Sequence, residues 1–266
     1  MVLFANDGPL GVLKSDANSL PQTLWGNWQD LTWIGYEIPA SSPHISALMG
    51  TLFSPEVFLK IYPPFALFFL GLSAWFCLRQ LGFYQAVCIL GGLAAALNEN
   101  TFSNVCWGQS SRAFAQAAAF LAIGLIAGSL TRFTWAKIAL AGLAVGLGVM
   151  EGFDVGALYS LYVAAFALFL FLIQPGKVGQ NLSRGVVKIV VVALFAGFIS
   201  AHTLRTLLET QGRAVVQVQK PKTPEEERAQ WDFATQWSLP KIETFRVIIP
   251  GLFGYRMDTP EGGQYW

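Results

Sequence analysis

"VGALYSLYVAAFALFLFLI", Val155 to Ile173, decides the fold. It holds no charged residue and has close to the length, about 20 mostly apolar residues, that a helix needs to cross a bilayer. The pattern repeats on both sides. "WAKIALAGLAVGLGVM" (Trp135 to Met150) and "AFAQAAAFLAIGLIAGSL" (Ala113 to Leu130) precede it. Further upstream lie "GFYQAVCILGGLAAAL" (Gly82 to Leu97) and "IYPPFALFFLGLSAWFCL" (Ile61 to Leu78). Downstream, another segment runs from about Val186 through "IVVVALFAGFISAHTLRTLL". Gly82 to Leu97 and Trp135 to Met150 are short, and each alone would also suit a buried helix of a soluble protein. Between stronger neighbours they count as spans. The expected fold is all-α integral membrane: a polytopic bundle of about six transmembrane helices over residues 57–208. Two long polar regions, 1–56 and 209–266, flank it and are expected to contain short interfacial helices.

Composition agrees. Hydrophobic residues make up 54% of the chain and charged residues 12%, against about 25% charged in an ordinary soluble domain. The net charge of +1 offers no field that would gather nucleic acid. Of the three cysteines, Cys77 and Cys88 fall in apolar segments and Cys106 stands alone in a polar loop. That is neither a disulfide framework nor a Cys-x-x-Cys metal pair. The two histidines, His44 and His202, are too scattered for a metal cluster. The N-terminus lacks a basic start, and Asp7 interrupts its first apolar run, so it does not read as a signal peptide.

The loops orient the bundle. With residues 1–56 outside, the inside loops carry Arg79, Arg132, Lys137, Lys177, Arg184 and Lys188. The outside loops "NENTFSNVCWGQSS" and "EGFD" carry no Lys or Arg, only Glu99, Glu151 and Asp154. This is the positive-inside asymmetry, and the reverse orientation breaks it in every short loop. Of the nine tryptophans only Trp75 lies well inside a span, while Trp107 and Trp135 stand at span ends, where amphipathic rings favour the headgroup zone. Gly124 and Gly128, Gly142 and Gly146, and Ala144 and Gly148 recur at four-residue spacing. Such spacing lets helix backbones approach closely in lipid, although Gly and Ala are also simply common there.

Both flanking regions then face the extracytoplasmic side. Pro and Gly punctuate the first, so turns and short helices are expected. "TLWGNWQDLTWIGYE" reads as a segment lying on the headgroup layer or against the bundle. "SPEVFLK" is a helix start, with Ser54 as N-cap and Pro55 at the first helical position. In the second region "AVVQVQ" alternates like a short strand. "TPEEERAQWDFATQW" begins with Thr223, Pro224 and Glu226 in the order of a capped helix. "SLPKIETFRVIIPGLFGY" reads as one more short helix. No nucleotide-loop, zinc-protease or serine-hydrolase motif appears in either region.

Asp7, in "VLFANDGPLG", is the first candidate for chemistry: an outside acid held on a Gly-Pro turn near the membrane, although Asn-Asp-Gly-Pro also describes any surface turn. Glu99, Glu151 and Asp154 are outside acids at membrane edges, and each also reads as a solvated loop acid. Asp16, Asp30 and Glu37 are weaker. Arg112 and Arg205 stand near the outer ends of their helices, where a guanidinium fork can bind phosphate oxygens or snorkel to headgroups. Arg213, Lys220 and Lys222 add charge nearby. His44 and His202 could carry protons, but single interfacial histidines more often have a structural partner. These groups fit one reaction. A sugar linked to a polyprenyl lipid through phosphate has a leaving group whose growing charge needs a cation, and the acceptor hydroxyl needs a base. No cofactor is fixed by the sequence; a divalent cation can share the arginine's work.

"VLFANDGPLG", "GLSAWFCLRQLG", "AALNENTFSNVCWGQSSRA" and "WSLPKIETFRVIIPGLFGY", in that order across six spans, resemble the bacterial YfhO-like membrane proteins of the GT-C superfamily of polytopic glycosyltransferases. The resemblance covers nearly the whole chain, through loose motifs. It implies a helical bundle with an acid in the first outside loop, a position Asp7 matches. It implies transfer from a polyprenyl-phosphate-linked sugar to a cell-envelope glycan or lipid acceptor, in the bacterial inner membrane. It assigns nothing to Arg112 or Arg205. Such proteins carry a membrane helix before the first outside loop and several after the second, so the chain is expected to be a fragment; a true N-out protein is the alternative. The competing function is a transporter or flippase, which would show charges or broken helices near the midplane. A scaffold has no sequence-specific support.

Overall fold

The computed structural model describes residues 27–29, 36–38, 44–130, 133–217, 224–235, 245 and 249. The expectations for Asp7, Asp16, Asp30, Arg132, Lys220 and Lys222 lie outside the described residues, as does nearly all of the short helix expected over 238–255. The chain divides into two units, Met1–Thr210 and Gln211–Trp266.

The first unit is an all-α polytopic membrane bundle. A short antiparallel pair, β1 (Asn27–Gln29) and β2 (Tyr36–Ile38), sets Trp28 opposite Glu37. Up to Glu37 it lies in the aromatic stretch expected on the headgroup layer or against the bundle, where no strand was expected. Then follow α1 (Ile45–Leu52), α2 (Pro55–Gln80), α3 (Gln85–Ala96), α4 (Glu99–Cys106), α5 (Ser110–Gly128), α6 (Thr134–Glu151), α7 (Phe153–Leu172) and α8 (Val178–Gln217). In the second unit α9 covers Pro224–Thr235, starting at the proline that the capping pattern marks. The strand expected at "AVVQVQ" is overturned at its start, because α8 stays helical through Gln217. Alternation over so few residues is a weak signal, and extending an existing helix is far easier than nucleating a new element.

Five of these helices are long and apolar enough to cross a membrane: α2, α5, α6, α7 and the Val178–Arg205 part of α8. The remaining expected span, Gly82 to Leu97, is helical only over the 12 residues of α3. At about 1.5 Å per residue that is roughly 18 Å, short of a hydrocarbon core of about 30 Å. Its return leg is broken. After Ala96 the chain bends at Leu97 and Asn98, where the Asn98 side chain accepts from Thr101 N, and α4 completes the climb.

Contacts fix the directions. Phe114 of α5 stacks among Tyr62, Phe65 and Phe69 of α2, and Gly124 lies against Phe76 and Cys77, so α2 and α5 run parallel. Going up α3, Gly91 meets Leu78 and Ala96 meets Gly71, so α3 runs back along α2. Gly148 of α6 faces Ala118 and Ala115, making α6 antiparallel to α5. One end of the bundle therefore gathers Pro55, Ser110, Glu151 and Phe153; it is called the upper end here. The lower end carries Arg79, Lys137, Lys177, Arg184 and Lys188, the charge asymmetry read from the loops.

Among the described residues two apolar clusters hold the bundle. One joins α5, α6, α7 and α8 through Ile126, Ile138, Val163 and Val192. The other joins α1, α2, α4 and α5 through Met49, Phe58, Tyr62, Val105 and Phe114. At the lower end Lys137 Nζ donates to Gly128 O at 2.7 Å, closing the C-terminus of α5. A cation at that position meets both a C-terminal carbonyl and the negative helix end. Lys137→Met, which keeps the stem and loses the donor, is expected to cost about 1 kcal/mol, read as a lower unfolding midpoint in detergent.

Candidate functional site

Glu151, the last residue of α6, is fully buried: its side chain is 0% exposed. It is not the solvated loop acid that "EGFD" suggests. Ser46 of α1 donates twice to it, from its backbone N to Oε1 at 3.0 Å and from its Oγ to Oε2 at 2.6 Å. Because Oγ spends its proton there, the Tyr62 hydroxyl, 2.5 Å away, donates to Oγ. Tyr62 is itself stacked between Phe58 and Phe114 at centroid distances of 4.6 and 5.6 Å. His44 Nδ1 accepts from Ala47 N at 3.2 Å and so caps α1. The same nitrogen lies 3.6 Å from Oε2 of Glu151. As a cap acceptor it carries no proton, so this contact is not an ion pair in the neutral histidine. Glu151, Ser46 and Tyr62 thus bind α1 to α2 and α6. Sequence reading favoured a structural partner for His44 over proton carriage, as this cap is, and missed Ser46 and Tyr62. The histidine-led helix start "PHIS" was the one local signal for this junction.

The other candidates sit differently. Asp154 is exposed in the first turn of α7, where an acid suits the positive helix end. Arg112 is exposed in the first turn of α5, close enough for its charge to act on Tyr159 of α7, and makes no ion pair among the described residues. A cation there opposes the helix dipole. Gly152 lies beside Ser111 and Ala115, so Arg112, Glu151 and Asp154 share the upper end of α5, α6 and α7. Next to them Ser110 Oγ is buried without a hydrogen-bond partner, alone in this among the described residues. Arg205 is exposed on the upper part of α8. Glu99 is exposed on another flank, at the start of α4, where Thr101 Oγ1 bonds Gln116 Oε1 at 3.3 Å.

Below this end a lateral groove of about 380 Å³ opens between α6, α7 and α8. Val149, Ala157, Ala164, Val192, Ala193 and Ala196 form its walls. Its hydroxyls are turned inward: Ser160 donates to Ala157 O and Ser200 to Ala196 O. The groove presents an apolar trough whose lining residues Phe153 and Leu204 adjoin Asp154 and Arg205 in the chain. Among the described residues no three of His, Cys, Asp and Glu come together as a metal site would need. Comparison of the chain with family models, curated proteins and solved structures finds no match.

Proposed function

We propose that the chain is part of a GT-C-like, YfhO-related membrane glycosyltransferase. It moves a sugar from a polyprenyl-phosphate donor to a cell-envelope acceptor at the upper, extracytoplasmic end of the bundle. The observation that carries this reading is the apolar trough of α6, α7 and α8 with charged residues at its upper rim. An isoprenoid chain suits the trough, and the donor phosphate would then lie near Arg205 and Arg112. In the reaction the acceptor oxygen bonds to the anomeric carbon, whose bond to the phosphate oxygen breaks. The acceptor proton passes to a carboxylate, the role the family resemblance gives Asp7. The polyprenyl phosphate leaves with its added charge held by arginine. Glu151 is not the base: its carboxylate is enclosed and engaged by Ser46.

The test is release of polyprenyl phosphate from a lipid-linked sugar in proteoliposomes. Ala193→Trp fills the trough from an exposed position and is expected to raise KM about tenfold with kcat held, the loss of uniform binding. Asp7→Asn is expected to lower kcat with KM held. Turnover unaffected by either change would end the proposal. The transporter or flippase reading gains from the broken α3–α4 leg, since interrupted helices are how transporters place polar groups in the membrane. Its signature is counterflow of the lipid-linked sugar across the bilayer without release of polyprenyl phosphate.

A further inference from the structure

The lower end of the bundle holds two cations that the helices do not neutralise. The acids of α1 to α8 are Glu56, Glu99, Glu151, Asp154 and Glu209, all toward the upper end. Of the lower cations, Lys137 Nζ is engaged by Gly128 O at 2.7 Å, and Arg79 Nη1 donates to Phe83 O at 3.4 Å. Arg184 and Lys188 have no oxygen partner among the described residues. Gly185, between them, packs on α7, where an added Cβ would stand 3.0 Å from the Phe171 Cβ. Lys188 is half-buried, with its Nζ 4.5 Å over the same Phe171 ring. Arg184 is exposed and precedes it by about 6 Å along the helix. The two charges are close enough to act on each other, and like charges at this spacing repel.

The apolar run of α8 begins between them, at Val186. An ammonium with three donors and no anion is costly at the edge of the hydrocarbon. On the other side stands α6. A Cβ at Gly142 would lie 3.1 Å from the Val192 Cα, and one at Gly146 3.0 Å from the Ala196 Cα. These equal distances keep α6 and α8 side by side. Trp135 lies on the same stripe of α6, seven residues before Gly142, which sets it level with 185–188 of the parallel α8. It is 58% exposed, and its indole N–H can only donate. Two cations and a donor thus meet at one level, with no acid among them.

We infer that this notch between the lower ends of α6, α7 and α8 binds an anionic glycerophospholipid of the phosphatidylglycerol type. Arg184 and Lys188 share its phosphate oxygens through charge-assisted hydrogen bonds, and the Trp135 indole lies at headgroup depth. The acyl chains run up α8 past Val191 and the exposed Phe195, seven residues on from Arg184 and Lys188 and so on the same stripe. An ethanolamine or choline head brings a cation of its own, with no carboxylate here to receive it. Inorganic phosphate brings no chain to cover Phe195. The inference does not depend on the transferase reading.

Native mass spectrometry of the purified chain, offered equal phosphatidylglycerol, phosphatidylethanolamine and phosphatidylcholine, tests it. Phosphatidylglycerol is expected to be retained about thirtyfold over either competitor, the weight of two cations at a membrane surface. Arg184→Gln combined with Lys188→Gln should erase that preference. Lys137→Met removes a cation from the same end but one already engaged, and should keep it. In phosphatidylcholine the double variant should hold the parent unfolding midpoint, since it loses only a like-charge repulsion. Added phosphatidylglycerol should raise the midpoint of the parent and not of the double variant. Excess inorganic phosphate should not displace the lipid. Equal retention of the three lipids, a preference that survives the double exchange, an equal loss in Lys137→Met, or displacement by inorganic phosphate would each overturn the assignment.

Discussion

Exchanging Glu151 for alanine is expected to destabilise the protein by about 3 kcal/mol or more and to release α1 before the bundle unfolds. The carboxylate accepts from Ser46 N and Ser46 Oγ inside the protein, at 3.0 and 2.6 Å. Removing it strands two donors that water cannot easily reach, each at a cost of about 1–3 kcal/mol. The apolar contacts of α1, chiefly Met49 in the cluster with Phe58 and Tyr62, remain. The loss should therefore appear first as detachment and only then as global unfolding. Hydrogen exchange over 45–52 should rise by more than tenfold while α5 and α6 stay protected. Glu151→Gln should fall between, since an amide offers Ser46 one acceptor and opposes it with one donor. Ser46→Ala should add little once Glu151 is gone, because the two residues act as one unit. Parent-like exchange of α1 in Glu151→Ala would show that something else anchors it.

That junction illustrates what the sequence does not announce. Ser46 and Glu151 are 105 positions apart, and nothing near "EGFD" separates a buried acceptor from a solvated acid. Their meeting depends on the packing of α1, α2 and α6 together. The spans were legible for the opposite reason. In lipid every backbone group must bond within its own helix, so the apolar run itself sets the element. The expected Trp135 to Met150 and Val155 to Ile173 accordingly fall within about two residues of α6 and α7. The run from Gly82 to Leu97 read as a full span because composition records apolarity and not depth. Asn98, capping α4, marks where that helix stops short. The start of α8 was set too late, near Val186, because Arg184 and Lys188 looked like loop residues. In the structure they ride on the helix, with Lys188 Nζ 4.5 Å over the Phe171 ring. The partial grouping at the upper end follows from connectivity. Arg112, Glu151 and Asp154 adjoin tight turns at the ends of packed helices, whereas Glu99 follows the broken leg to another flank.

The glycine spacing carries the second large effect. Gly142 and Gly146 lie on the face of α6 that meets α8, which runs parallel to it. A Cβ at Gly146 would come within 2.6 Å of Ala196 O and 3.0 Å of its Cα. A Cβ at Gly142 would stand 2.6 Å from Val192 O. These neighbours are backbone, so no rotamer change relieves the clash, and α8 has to move. Gly146→Leu is expected to cost about 3 kcal/mol, the upper part of the overpacking range, and to lower the unfolding midpoint by roughly 6–12 °C. Gly179→Ala, with nothing within 4 Å of its added carbon, should hold or slightly raise the midpoint and so separates close packing from helix propensity. Val192 and Ala196 form both this seam and a wall of the lateral trough. The same leucine should therefore widen the trough and weaken retention of a polyprenyl phosphate. A parent-like midpoint for Gly146→Leu would mean that α8 does not approach α6 this closely in the membrane, and the trough would lose its wall.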